Sequence, residues 1–255
     1  MNAAAIAALL RAAVDVEVVA ETGSTNADLM TRAARLHRPA LLVAEHQSAG
    51  RGRAGRSWLS AAGDSLTFSL AWKFAGSPQR MLGLPLAVGV ALAEALAAHD
   101  VPVQLKWPND LLKDGSKLAG VLIETQGAAD GGTWAVIGIG LNLAMPDQLE
   151  ERIGRAVASA PWLARMERNA LMAALVDALA AAMEQFEQAG FGAFRARWNG
   201  LHAYRGQHVS IIDQGAVLQQ GVAAGVDDMG RLLLDTQGGR VAVLAGDVSL
   251  RLREA

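Results

Sequence analysis

The sequence contains no cysteine. That excludes disulfides, a thiolate nucleophile and zinc sites built on thiolates, and it fits a reducing compartment. An excess of positive charge is also missing: 23 Lys and Arg stand against 25 Asp and Glu, a formal net charge of −2. A chain with that balance has no overall electrostatic reason to seek nucleic acid or an anionic membrane. No basic residue precedes the alanine-rich run near the start, MNAAAIAALL, which argues against a signal peptide. The longest apolar stretch, LPLAVGVALAEALAA, is interrupted by Glu94 and reads as too short for a membrane span. There is no internal repeat, and no low-complexity stretch beyond alanine-rich helices. These absences point to a soluble cytoplasmic protein with neither nucleic acid nor membrane as partner.

What is present suits an enzyme. The 255 residues, 52% apolar and 19% charged, are enough for one large domain, or a medium domain with a small module, around an ample core. Along the chain, strand and helix patterns alternate. VDVEVVAE alternates as a strand, and STNADLMTRAARL then reads as a helix with Thr25 and Asp28 spaced as a capping box. PALLVAEHQ, SLTFSLAW, VPVQLKW, KLAGVLIET and WAVIGIGLNL read as strands, the third and fourth flanking the turn KDGS. A long apolar helix is expected over 80–98, and further helical patterns over 162–188 and 191–198. After Tyr204 short alternating runs are separated by DQG, DDMG and QGG turns, the pattern of a small antiparallel β-barrel. A boundary near Tyr204 gives domains 1–204 and 205–255.

Two segments concentrate polar chemistry. AGRGRAGRSW, Ala49 to Trp58, combines Gly50, Gly52 and Gly55 with Arg51, Arg53 and Arg56. Glycines let a backbone approach a ligand closely, and guanidinium forks suit phosphate or carboxylate. The segment is expected to be mobile until an anion supplies countercharge. It is neither a Walker A loop nor a Rossmann fingerprint. A solvated surface loop and a nucleic-acid contact remain equally open for this segment alone. The second segment, KWPNDLLKDGSKLAG, gathers Lys106, Asn109, Asp110 and Lys117 about a strand exit fixed by Pro108, where polar groups sit on a rim. Singly, Asp110 could cap a turn and Lys117 could be an exposed strand lysine.

In combination and in order, these words resemble the biotin protein ligases, which attach biotin to a lysine of carboxylase carrier domains. The resemblance spans STN at Ser24 to Asn26, EHQSAGRGRAGRSW at Glu45 to Trp58, KWPND at Lys106 to Asp110, KLAGVLIE at Lys117 to Glu124, GIGLN at Gly138 to Asn142, and the terminal β-module. It implies an α+β fold related to class II aminoacyl-tRNA synthetases, with a mixed β-sheet followed by an SH3-like barrel. The implied reaction joins biotin to the α-phosphate of Mg-ATP and then passes the acyl group to the lysine of a biotin carboxyl carrier protein. Homodimerisation is common in the family.

The resemblance also implies roles. Ser24, Thr25, Asn26 and Gln47 line the biotin pocket, together with Gly50, Arg51, Gly52 and Arg53. Arg51, Arg53, Arg56, Trp58, Lys106, Asn109, Lys117, Asn142 and Arg251 serve ATP or the adenylate. Lys117, Arg53 and Asp110 are the catalytic set: fixed cations for charge on phosphoryl and acyl oxygens, and a carboxylate to prepare the incoming lysine. Plainer duties stay open beside these: helix capping for Ser24 and Thr25, core packing for Trp58, and a strand end for Asn142 and Arg251. Some family members carry an N-terminal winged-helix module and act as operon repressors. Here the first motif begins at Ser24, so the expectation is a ligase without operator binding. A lipoate ligase and a phosphate-gripping nucleic-acid binder are the alternatives, separated by acid competition and by salt-sensitive oligonucleotide binding.

Overall fold

A computed structural model of the chain describes residues 1–144 and 157–253. Helix α1 (Ala3–Leu9) precedes strand β1 (Asp15–Thr22), helix α2 (Thr25–Arg32), β2 (Ala40–Gln47), β3 (Ser65–Phe74) and α3 (Leu84–Ala97). The short hairpin β4 (Gln104–Lys106) and β5 (Asp110–Lys113) leads into β6 (Ser116–Gly127) and β7 (Thr133–Asn142). Helices α4 (Arg168–Ala189) and α5 (Gly192–Leu201) follow, and then β8 (His208–Asp213), β9 (Ala216–Val226), β10 (Leu232–Thr236), β11 (Gly239–Val243) and β12 (Ser249–Leu252).

The first seven strands form one mixed sheet in the order β1-β2-β3-β7-β6-β5-β4. Only β1 and β2 run parallel, with α2 as their crossover; the other pairs are antiparallel. The last five strands form an antiparallel sheet, β11-β10-β9-β8-β12. The mixed-sheet α+β domain with its antiparallel β-module therefore stands as expected.

Because side chains alternate across a strand, each sheet face can be read from residue parity. On β3 and β7, Leu66, Phe68, Leu70, Ile137, Ile139 and Leu141 enter the main core with α3 and α4. A smaller cluster on the other face packs Leu29 and Ala33 near α2 against Leu42, Ala71, Trp134 and Val136. Beyond that cluster the same face carries Ser65, Thr67, Ser69, Gly138 and Gly140, small and polar residues against which the first turn of α2 sets Thr25 and Asn26.

The long helix begins later than its composition indicates. A 3-10 turn spans Pro78–Met81, and Gly83 then takes a left-handed φ of 80° before α3. A Cβ at Gly83 would stand 2.5 Å from the Cβ of Phe191, so both the turn and the packing require glycine. The run Pro78–Ala97 is in fact long and apolar enough to cross a membrane by length and composition, contrary to the sequence reading. It is nevertheless a core helix: Leu84, Val88, Val90, Leu92 and Leu96 are all buried, each contributing about 2 kcal/mol.

Other differences are local. The apolar start forms α1, whose Asn2 side chain accepts from the Ala5 N–H at 2.9 Å. Asp177 of α4 anchors the end of this segment: its carboxylate takes the N–H groups of Arg11 and Ala12, both at 3.0 Å. The cap of α2 is Ser24, not a Thr25–Asp28 box. Thr25 Oγ1 is engaged elsewhere, and Asp28 accepts from the Thr22 hydroxyl. Ordered helix on the carboxyl side starts at Arg168, so Trp162 lies outside it.

The β-module is packed into the same core, which includes Val209, Ile211, Val226, Leu232 and Leu250. Trp107, 1% exposed, donates its indole N–H to the Gly230 carbonyl at 3.1 Å. The Asn199 side chain brackets Val226, accepting its N–H at 2.8 Å and donating to its carbonyl. These contacts set the β11–β12 connection beside the small-residue end of that sheet face.

Candidate active site

The arginine segment is a closed hairpin rather than an open loop. Trp58 N–H donates to the Gly50 carbonyl at 2.9 Å, and Gly52 N–H to the Arg56 carbonyl at 2.7 Å. At the tip Ala54 and Gly55 both have positive φ, 53° and 69°, and the Arg56 N–H returns to the Arg53 carbonyl, as in a type I′ turn. Gly50 serves the hairpin itself. A Cβ there would lie 2.4 Å from the Trp58 carbonyl oxygen, and Gly50 is not part of the cavity wall.

The hairpin roofs a cavity whose floor is the small-residue end of that sheet face. Trp58 lies on that floor, where a Cβ at Gly140 would come within 2.1 Å of its indole. Its indole N–H is buried without a hydrogen-bond partner among the described residues. A Cβ at Gly138 would come within 2.2 Å of Asn26 Oδ1. The two glycines thus make room for the two side chains that crowd the floor.

The cavity has two chemically different ends. At the α2 end stand Ser24, Thr25, Asn26 and Gln47. Thr25 N–H and Oγ1 both reach Gln47 Oε1, at 2.8 and 3.1 Å, and Thr25 Oγ1 meets Ser69 Oγ at 2.7 Å. Ser24, Thr25 and Asn26 are each at most 5% exposed, so these are fixed polar groups suited to a ligand with donors and acceptors of its own.

At the other end the cations gather. Lys117 Nζ is 2.5 Å from Asp110 Oδ1 and 5.6 Å from the Trp58 ring centroid. The antiparallel β5–β6 pairing brings this couple together, since Leu112 pairs with Lys117 and Asp110 with Gly120. Arg53 donates to Asn109 Oδ1 at 3.0 Å and to the Gly246 carbonyl; burial lowers its pKa below the ordinary arginine value, against the opposing pull of Asp110. Arg56 donates to Ser249 Oγ at 2.7 Å, and Arg51 to Glu124 Oε2 at 2.7 Å. Lys106 stands 5.7 Å from the Tyr204 ring centroid and lines the same cavity. The rim is completed by the β-module, from Asp247 to Arg251.

Asn109 faces the cavity too, donating to the Val121 carbonyl at 2.7 Å; the Trp107–Pro108 peptide beside it is cis. Asn142 is placed differently. It is 2% exposed, is not part of the cavity wall, and donates to the carbonyls of Lys117 and Ala158 at 3.4 and 3.2 Å, fixing the strand that carries Lys117. Sequence reading missed Ser69, Glu124 and the Asp247–Leu250 stretch. The first two follow from parity on strands that were recognised; the third depends on how the β-module docks.

Chemically, the cleft pairs a neutral hydrogen-bonding end with a cationic end that a carboxylate and a phosphate could share, beside a carboxylate that could take a proton. With the mixed sheet and the terminal β-module, that defines an acid-activating ligase of the biotin and lipoate class. Residues 17–142 match the family described as biotin/lipoate A/B protein ligase, and residues 205–251 match the biotin protein ligase C terminal domain. The chain is 35% identical over 246 residues to the bifunctional ligase/repressor BirA of Escherichia coli, covering 94% of this chain and 75% of that one. It is 36% identical over 241 residues to the biotin acetyl-CoA-carboxylase ligase of Mycobacterium tuberculosis, covering 91% and 87%. Among solved structures, the biotin protein ligase from Aquifex aeolicus in complex with biotin and ATP matches with a TM-score of 0.78 and 27% identity, over 93% of this chain and 99% of that one. The chain belongs to the biotin/lipoate A/B protein ligase family, and within it is a biotin protein ligase.

Proposed function

We propose that the cavity activates biotin with ATP and transfers it to a carrier lysine, with the residues in the following roles. Ser24, Thr25, Asn26 and Gln47 hold the ureido ring, with Gly52 leaving room beside it. The carboxylate of biotin lies toward Lys117 and Arg53, where its oxygen attacks the α-phosphorus. An O–P bond forms, the bond to the β-phosphate oxygen breaks, and pyrophosphate leaves. Lys117, Arg51, Arg53 and Arg56 neutralise charge on the phosphoryl oxygens, a contribution that grows where water is excluded. Trp58, Lys106, Asn109 and Arg251 form the nucleotide side of the site. In the second step the carrier's amine attacks the acyl carbon, a C–N bond replaces the C–O bond, and AMP departs. A free lysine is mostly protonated at neutral pH, and Asp110 receives the proton that the amine must lose.

The observation that carries this reading is the Lys117–Asp110 pair beside Trp58 and beneath the hairpin. One group suits the anionic first step and its neighbour the second. No group of three His, Cys, Asp or Glu able to hold a metal occurs among the described residues. We therefore assign Mg2+ to the phosphates of the nucleotide, where it would offset their charge, with Asp110 and Asp247 as the carboxylates lining the cavity. A carrier domain of acetyl-CoA carboxylase is the acceptor in this reading, the cytoplasm the compartment and a homodimer the assembly.

ATP–pyrophosphate exchange tests it, run with biotin and with lipoate as the control acid. Biotin-dependent exchange supports the assignment; exchange with lipoate alone moves the chain to the sister activity, and exchange with neither removes nucleotide activation from this cavity. The hairpin shields the hydrolysable anhydride, so Arg53→Gly should release biotinyl-AMP into solution faster than the unsubstituted protein. Equal retention of the intermediate would refute that role for the hairpin.

A further inference from the structure

Six polar side chains run in one hydrogen-bonded file from the α2 end of the cavity to the arginine hairpin. Gln47 Oε1 takes the Thr25 N–H, and Thr25 Oγ1 meets Ser69 Oγ at 2.7 Å. Ser69 Oγ donates to Asn26 Oδ1 at 2.6 Å, and Asn26 Nδ2 donates to Glu124 Oε2 at 2.9 Å. Arg51 Nη2 donates to that same carboxylate oxygen at 2.7 Å. The directions agree. A hydroxyl has one proton: with Ser69 spending its own on Asn26, Thr25 gives its proton to Ser69 at 2.7 Å rather than to Gln47 Oε1 at 3.1 Å, and Gln47 Oε1 is held by the Thr25 N–H alone. The Asn26 amide is oriented by having its NH2 between two acceptors, Glu124 and the Leu122 carbonyl at 3.3 Å.

Glu124 belongs to a second cavity, which shares the hairpin with the first and adds Pro85, Ile123, Glu124, Ala245 and Gly246. Arg51 lines both cavities. The carboxylate thus takes an Nη2 N–H of a guanidinium that also lines the first cavity. With side chains 43% and 29% exposed, this ion pair contributes little to stability. Its consequence is geometric.

We propose that Glu124 is a positioning residue for adenylation: by holding Asn26 and Arg51 on one oxygen, it ties the wall that receives the ring to the cation that receives the phosphate. Seating the acid against Asn26 then fixes Arg51 for the nucleotide. The proposal rests on the biotin-activating reading above for its ligands, but the tether itself has a readout that needs no catalysis.

The test compares Glu124→Gln, Arg51→Gln and the double variant with the unsubstituted protein. The glutamine keeps an oxygen for Asn26 and loses the charge that holds Arg51. With no ligand added, trypsin should cut E124Q after Arg51 about fivefold faster, while the melting temperature is unchanged. In exchange assays the KM for ATP should rise roughly tenfold with biotin affinity within about twofold, and the double variant should be no worse than R51Q. Equal cleavage rates, or kinetic losses that multiply in the double variant, would overturn the proposal. If the unsubstituted protein shows no biotin-dependent exchange, the adenylation reading fails, and the cleavage comparison alone decides whether Glu124 tethers the hairpin.

Discussion

Strands β3 and β7 lie side by side in the sheet, and at the cavity end their two faces have opposite compositions. One face carries Leu66, Phe68, Leu70, Ile137, Ile139 and Leu141, none more than 4% exposed. The other carries Ser65, Thr67, Ser69, Gly138, Gly140 and Asn142 along the same two strands. Apolar burial on the first face holds the sheet to α3 and α4. Small and polar residues on the second leave a floor low enough for Trp58 and Asn26 to lie on, with room for ligands beside them. Between Ser65 and Leu70 on β3, and between Ile137 and Asn142 on β7, stability and chemistry are thus separated by a single step along the strand; beyond them Ala71, Trp134 and Val136 make the second face apolar too.

The largest expected effect is on the cleft side. Lys117→Ala should lower biotin-dependent pyrophosphate exchange by about 10³-fold, since removing one group aimed at developing negative charge costs that order of rate. The Lys117–Asp110 pair lines the cavity beneath the hairpin with side chains 19% and 18% exposed, so the carboxylate left behind is solvated from the cavity and the melting temperature should fall by no more than about 5 °C. A larger fall accompanying the lost activity would break the division. Leu70→Ala should do the reverse. Its side chain is 0% exposed, and truncation there costs about 3 kcal/mol, a fall of roughly 6–12 °C in melting temperature. Exchange activity of the folded enzyme at 20 °C should stay within about twofold of the unsubstituted protein.

Much of this was legible from the residues. GRGRAGRSW and KWPND carried weight only together and in order: alone, the first was equally readable as a solvated loop, and Asp110 and Lys117 as ordinary turn and strand residues. The strands around them had clean periodicity, and the alternation in WAVIGIGLNL already displayed the two faces. What escaped was contact between distant segments. Arg53 meets Gly246 and Arg56 meets Ser249 only because Trp107 and Asn199 dock the β-module, and nothing in either local sequence encodes that meeting. Strand β5, DLLK, is too short for periodicity to register. The cap of α2 was misplaced by one residue because Thr25, an equally good capping type, has its hydroxyl drawn to Gln47 and Ser69 by the tertiary fold.

Acid should act on the apolar side. His202 is 5% exposed, stacks on Trp198 at 4.6 Å between ring centroids, and has no hydrogen-bond partner for either ring nitrogen among the described residues. Burial, reinforced by Arg205, lowers its pKa to about 4. The unfolded chain, with an ordinary histidine near 6.5, binds the proton more readily. The associated stability is therefore complete above pH 6.5 and is lost as pH falls toward 4, a total of about 3 kcal/mol. Urea unfolding at pH 7.5 and 4.5, with His202→Phe alongside, measures it: the substitution should remove that share of the acid sensitivity. An identical pH dependence in both proteins would show that protonation of His202 does not unsettle the apolar side.

The smallest effect makes the sharpest comparison, because Ser69 is the immediate neighbour of Leu70 and faces the other way. Ser69→Ala removes the donor to Asn26 Oδ1 and the partner of Thr25 Oγ1, yet leaves every core side chain in place. One buried hydrogen bond is worth about 1 kcal/mol, so the melting temperature should fall by only about 2–4 °C. Asn26 and Thr25 would keep their places with less restraint, and the KM for biotin should rise about threefold with kcat nearly unchanged, the mark of lost ground-state binding. If instead the alanine lowered the melting temperature as far as Leu70→Ala does and left the biotin KM alone, the hydroxyl would belong to the scaffold, and the boundary between core and cleft would have to be drawn nearer the hairpin.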